Sequence, residues 1–370
     1  MIKKITFIGK GNAGVFGALH FSHYSDAEIE LIYDPEIPEE KVGQATVLEA
    51  PNLLWKSLGL NWYNNPIEAT PKFGVVYEGW GKKTEKFIHP FPFSETAVHY
   101  SPNKLQNYII NSGKFKVRKE KVEPKNIDSD FIFDCRGKLA NENTKYIPLK
   151  NPLNAVLLKQ LNYREPNINW TRCVATPDGW TFVIPNTNNT TSHGYLYNQN
   201  ITSKDNAIKN FKKQFKFDGE VEGFSFKQYL AKEPIQDNVI LSGNRLFFLE
   251  PLEATAVQAY LYWYRQCYDH IFLNQSKEVI IDNFKKYVFN LENFILWHYQ
   301  YGSKYKTKFW KEASKFKIKC KNFKDFLKYS SDNSLEYLRD LDIHLNSKTY
   351  GQFYPMNFKY WLDNVVYEKN

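Results

Sequence analysis

A glycine-rich turn near the amino end constrains this chain more than any other feature. The apolar run Ile5-Thr6-Phe7-Ile8 leads into Gly9-Lys10-Gly11-Asn12-Ala13-Gly14. A helical pattern follows from Ala13 to about Tyr24, with Val15, Phe16, Ala18, Leu19 and Phe21 apolar. A second apolar strand, Ile29 to Tyr33, ends at Asp34, 20 residues after Gly14. Strand, glycine turn, helix, strand and acid in this order predict a βαβ unit that holds a dinucleotide. Gly9 permits the tight turn, Gly11 lets the backbone approach a pyrophosphate, and Gly14 lets helix and strand pack closely. The first helical turn, with Asn12 and Ala13, offers unpaired N–H groups to the phosphates. Asp34 stands where a carboxylate takes the ribose hydroxyls, and its charge disfavours a 2′-phosphate. The motif does not choose between FAD and NAD, and a structural turn without ligand fits the same residues.

The rest of the chain supplies a body for this unit. Residues 67–93 read as β-rich and residues 102–112 as a helix. Asp130-Phe131-Ile132-Phe133-Asp134 is a buried-strand pattern, and Asn238 to Ser242 is another strand, running into Gly243. Residues 170–198 alternate as antiparallel strands around an Asn-rich turn at 186–193, and from about Glu253 onward the pattern is mostly helical. The expected class is α/β. A Rossmann-type body spans 1–260, discontinuous, with a substrate-facing β layer at about 67–100 and 165–235. A helical part over 261–370 covers the substrate side.

Composition narrows the partners. The net charge is +9, but the lysines are scattered beside acids, as in Lys116-Val117-Arg118-Lys119-Glu120-Lys121. They read as solvated faces rather than a specific nucleic-acid site. Cys135, Cys173, Cys267 and Cys320 are far apart and form no CxxC pair. That argues against a zinc site or a disulfide framework, and for a reducing, cytoplasmic setting. The chain enters a strand at once, which is not a signal-peptide pattern, and no run of 18 apolar residues suggests a membrane span.

Several segments, in chain order, resemble the flavin-dependent tryptophan halogenases. Pro35-Glu36-Ile37-Pro38 and Val42-Gly43-Gln44-Ala45-Thr46 resemble the "IP…VGEAT" strap over the flavin, with Gln44 for the usual Glu. Ala69 to Trp80 resembles the segment with the catalytic lysine, which falls on Lys72, and His89-Pro90-Phe91 matches "HPF" of the substrate pocket. Asp130 to Gly137 resembles "DLxIDCSG", and Trp180-Thr181-Phe182-Val183-Ile184-Pro185 resembles "WxWxIP", with Phe182 for the second Trp. Phe248-Leu249-Glu250-Pro251-Leu252-Glu253-Ala254-Thr255-Ala256 resembles "FLEPLESTG", with Ala256 for Gly, and His298-Tyr299 with Thr307 to Trp310 resembles "HY…DTPFW". The connection between Phe91 and Asp130 is shorter than the family's, and the C-terminal part is abbreviated, with Tyr350 to Trp361 as a remnant.

The resemblance implies a fold of the flavin monooxygenase kind and FAD, used as FADH2. Gln44, Ala45, Asn244 and Val257 then join Gly9 to Gly14 and Asp34 as cofactor residues. Thr255 and Ala256 hold a halide (chloride, bromide or iodide) by backbone N–H, and Lys72 and Glu253 are catalytic. His89, Phe91 and Trp80 hold a small indole-type aromatic. A separate flavin reductase is the implied partner, and a homo-oligomer stays open. The implied reaction makes hypohalous acid from O2 and halide and passes it through Lys72. The abbreviated C-terminal part implies looser substrate choice. A flavin-dependent aromatic hydroxylase and a non-catalytic flavin- or polyanion-binding protein fit the same pattern. Read singly, Lys72 is a surface lysine, Glu253 a first-turn helix acid, and Trp180, Phe182, His298 and Trp310 packing residues.

Overall fold

A computed structural model describes residues 2–39, 44–46, 49–91, 95–138, 145–187, 189–318, 320–337 and 348–366. The chain folds into two compact units, each assembled from separate stretches. The first comprises Met1–Ala69, Tyr100–Leu149 and Lys227–Val288, the second Thr70–His99, Lys150–Phe226 and Phe289–Asn370. Among the described residues no helix is long and apolar enough to cross a membrane.

The first unit is built on a six-stranded sheet. The strand Lys4–Ile8 pairs in parallel with Glu28–Tyr33 on one side and Phe131–Asp134 on the other. Lys116–Lys119 and Val239–Leu241 extend the sheet outward in parallel, and Ile235–Gln236 forms an antiparallel edge. The central strands are apolar along nearly their whole length because both faces are covered. Phe7 stacks on Phe133 at 4.6 Å and meets the edge of Tyr264. The helix Asn12–Tyr24 lies against the helix Thr255–Phe272, which carries Tyr264. A Cβ at Gly17 would come within 2.5 Å of Phe7 and 2.8 Å of Tyr264, so glycine sets this approach. The first helix is therefore buried nearly all round, which explains its apolar character on every side.

The second unit is built on a seven-stranded sheet in the order Glu222–Ser225, Ala155–Leu161, Thr191–Tyr197, Gly179–Pro185, Trp170–Thr176, Gly74–Glu78 and Lys86–Pro90. The expected antiparallel run over 170–198 is present, and one parallel pairing joins Trp170–Thr176 to Gly74–Glu78. The helix Lys204–Phe215, capped by the Ser203 hydroxyl, packs Ala207 and Phe211 against Leu157, Tyr195 and Tyr197. Its C-terminal helices include Lys308–Ala313, Lys321–Tyr337 and Pro355–Val365. The last of these buries Trp361 among Tyr77, Phe87, Trp297 and His298.

Candidate functional site

The residues expected at the site divide between the two units. In the first unit the glycine turn follows directly from the central strand. Gly9 has φ +112°, a left-handed conformation that a side chain would strain, and its N–H donates to Ile32 O at 2.8 Å. A Cβ at Gly14 would stand 1.8 Å from Gly9 O, so turn and helix touch only because Gly14 has none. Gly11 precedes the helix with no side-chain cap, and a Cβ built on it meets nothing within 4 Å. The first intrahelical bond runs from Val15 N–H to Gly11 C=O at 3.1 Å. The N–H groups of Asn12, Ala13 and Gly14 thus precede the helical ladder and are left for an anion. This uncapped, glycine-rich turn fits the pyrophosphate of a dinucleotide.

The remaining cofactor candidates of this unit have definite places. Asp34 follows the second strand and accepts from Glu36 N–H at 2.9 Å. Gly243, with φ +60°, approaches Ala13 so closely that a Cβ would stand 2.5 Å from the Ala13 Cβ. Asn244 accepts the Tyr229 hydroxyl on its carbonyl at 2.7 Å and the Tyr260 hydroxyl on its side chain at 3.1 Å. Gln44 and Ala45 form a two-residue strand, half-buried, and Val257 is buried in the helix Thr255–Phe272. Val42 and Gly43 of the strap lie outside the described residues.

The segment before that helix has unusual backbone. Glu253 and Ala254 carry φ of 65° and 51°, two successive left-handed residues without the freedom of glycine. Ala256, which stands where the family motif has Gly, lies in the helix Thr255–Phe272 with ordinary helical backbone, where a Cβ costs nothing. Glu250 and Glu253 are buried, and Ala254 offers the helix no side-chain cap. The first-turn N–H groups of Thr255 and Ala256 therefore remain donors at the positive end of an 18-residue helix.

In the second unit Lys72 ends the strand Thr70–Lys72, which pairs antiparallel with Ala97–Tyr100. Lys72 is only 1% exposed, and its Nζ lies 5.4 Å from the centre of the Phe91 ring. This is not the surface lysine that its strand position alone suggests. His99, on the partner strand, is buried, and its Nε2 hydrogen-bonds Thr171 Oγ1 at 2.8 Å. Burial first, then the charge of Lys72, lowers the His99 pKa from 6.5 to about 3, so its imidazole is neutral. His89 is buried and lies 5.8 Å from the Tyr360 ring.

Trp80 has a different setting. It is wholly buried, its indole N–H donates to Cys173 O at 3.0 Å, and Tyr77, Trp180, Tyr299, Trp310 and Trp361 surround its ring. That is the packing of a core residue. His298 and Trp310 are also core residues. His298 lies 4.2 Å from Trp361, and the Trp310 indole donates to Thr176 O at 2.7 Å. Tyr360 is a neighbour of His89 that the motifs did not single out. Its only trace in the sequence is the aromatic spacing of Phe358, Tyr360 and Trp361 on one short helix.

The tryptophan halogenase family model matches residues 4–123 and 116–334. The chain belongs to the tryptophan halogenase family. Members of this family are flavin-dependent halogenases, enzymes of the oxidoreductase type. No curated protein matches it in sequence. Its fold is shared with solved members. A tryptophan halogenase from Shewanella frigidimarina superposes with a TM-score of 0.80 at 16% identity, over 100% of this chain and 90% of that one. A tryptophan 6-halogenase from Streptomyces toxytricini gives 0.79 at 16%, over 98% and 90%. A flavin-dependent halogenase from Brevundimonas gives 0.77 at 16%, over 99% and 90%.

Proposed function

We propose that this protein is an FADH2-dependent halogenase acting on a small, indole-type aromatic. The observation that carries the reading is Lys72, a lysine buried beside the Phe91 ring in the segment that bears the family's catalytic lysine. Its support is the uncapped glycine turn of the first unit, which suits the pyrophosphate of FAD. When bound, FADH2 supplies the two electrons that activate O2. The overall balance is FADH2, O2, halide and a proton giving FAD, hypohalous acid and water. Hypohalous acid and the aromatic then give the halogenated ring and water.

The residues of the chain supply position and charge. The N–H groups of Thr255 and Ala256 hold the halide at the positive end of their helix. Asp34 takes the ribose hydroxyls. Lys72 donates a hydrogen bond to the hypohalous oxygen, which makes the halogen more electrophilic. Beside it, neutral His99 adds no second positive charge. Glu253 is the acid–base residue that the first unit contributes. His89 and Phe91 hold the ring, with Tyr360 next to His89. A separate flavin reductase supplies the reduced cofactor.

The test is turnover with FAD, a flavin reductase, NADH and O2 against a panel of indoles and phenols, with each halide in turn and mass spectrometry on the products. A halogen-shifted product that vanishes in Lys72→Ala is the expected result. An oxygen-shifted product would make the protein a hydroxylase. Halogenation that persists in Lys72→Ala would remove the lysine from the reaction.

A further inference from the structure

At the start of the helix Asn12–Tyr24 four uncharged side chains meet. Asn12 Nδ2 donates to Gln44 Oε1 at 2.6 Å and to the Tyr100 hydroxyl oxygen at 2.9 Å. The Tyr100 hydroxyl donates to the same Gln44 oxygen at 3.2 Å. Gln106 Nε2 donates to Asn12 Oδ1 at 3.0 Å. Asn12, Tyr100 and Gln106 are 8%, 4% and 3% exposed. Both N–H groups of the Asn12 amide and its oxygen are thus engaged by protein, from two stretches far from it in sequence, Gln44 and residues 100–106.

Two consequences follow from the chemistry of this cluster. Asn12 is the first residue of the helix, and its side chain is held away from the turn, so it neither caps the helix nor obstructs the N–H groups that precede Val15. Position 44, where the family carries Glu, holds an amide, so the cluster brings no negative charge to the positive end of the helix. A carboxylate there would neutralise part of the field that an incoming pyrophosphate would otherwise meet.

We propose that Tyr100 and Gln106 are positioning residues for the dinucleotide, which with Asn12 and Gln44 form a neutral clip that shapes the cradle and reserves its positive end for the cofactor phosphates. The clip rests on the FAD reading given above, which makes no use of Tyr100 or Gln106.

The test is FAD affinity of the whole protein, read by flavin fluorescence at low salt and at about 0.5 M salt. Q44E and Tyr100→Phe are nearly isosteric, and thermal melts without FAD check that each is folded. Q44E is expected to bind FAD about tenfold more weakly at low salt. Its deficit against the parent narrows to about threefold at high salt, because the new repulsion is screened. Tyr100→Phe is expected to lose about threefold at both salts, as removal of one neutral hydrogen bond does. A Q44E deficit that ignores salt overturns the claim of reserved charge. Parent-like affinity in both variants overturns the clip while leaving the FAD reading intact. A parent that does not bind FAD overturns both.

Discussion

A lysine at 1% exposure loses most of its hydration, and a protein keeps such a group only where its charge or its amine is of use. Lys72→Met retains the aliphatic bulk and removes the amine. Removing one member of a buried polar contact leaves the other unsatisfied, at a cost of about 1–3 kcal/mol. The melting temperature is therefore expected to fall modestly with the protein still folded at the assay temperature, while halogenated product falls by at least about 100-fold, the scale of a lost proton-handling group. Mass spectrometry of turnover products beside a thermal melt checks both. A variant that melts early and loses activity in proportion would make Lys72 a structural lysine. Its burial could not be read from Thr70-Pro71-Lys72-Phe73, because the strand that covers it is Ala97–Tyr100 and the pairing is tertiary. The role of Gly14 was legible, because the contact it permits is with Gly9, five residues away.

At the scale of elements, the turn at 253–254 shows where a sequence motif and the backbone part company. Two successive non-glycine residues in the left-handed region cost about 1 kcal/mol or more each. The strain sits one residue before the helix Thr255–Phe272 and sets the direction in which its first N–H groups point. Ala254→Gly relieves one of these residues and is expected to raise stability by about 0.5–1 kcal/mol, net of the extra freedom of the unfolded chain. A chemical denaturation curve reads this directly, and a loss of stability would mean that the Ala254 methyl packs better than its φ suggests. The family's glycine falls on Ala256, in helical backbone, whereas the left-handed residues are Glu253 and Ala254, since letters in a motif do not show which residue turns. The cross-strand pair Phe182–Gly194 is a second case. A Cβ at Gly194 would stand 2.1 Å from the Phe182 ring, so the glycine is there to receive that ring. Gly194→Ala is expected to cost about 1–3 kcal/mol by overpacking. The sheet itself was legible from 170–198 because alternation is local, whereas the meeting of Tyr360 with His89 depends on where the last helix docks.

For the whole molecule, buried histidines set a lower bound on the working pH. His20 lies in the first unit, and His99 and His193 lie in the second. Burial is the largest cause in each case. It lowers His20 and His99 to about 3 and His193 to about 4 from the ordinary 6.5. Nearby cations add to the effect: Arg265 for His20, Lys72 for His99 and Arg172 for His193. All three are neutral in the fold, and the unfolded chain protonates them below about pH 6.5. In that range the unfolded state binds more protons, so stability falls as pH is lowered. The contribution is complete above pH 6.5, shrinks by about 1.4 kcal/mol per histidine per pH unit below it, and is exhausted near the folded values. At pH 5 each histidine has cost about 2 kcal/mol, and the second unit, with two of them, loses about twice as much as the first. Denaturation at pH 7.5 and pH 5 is expected to show this drop, and His193→Gln, which cannot protonate, to recover about one third of it. Equal stability of the parent at both values would rule out this pH dependence. If His193→Gln lost as much as the parent, acid sensitivity would lie with groups other than these histidines. The sign of the effect also bears on the reaction. Halogenation assays well below pH 6 carry this loss of stability with them, so activity there is to be read beside the folded fraction.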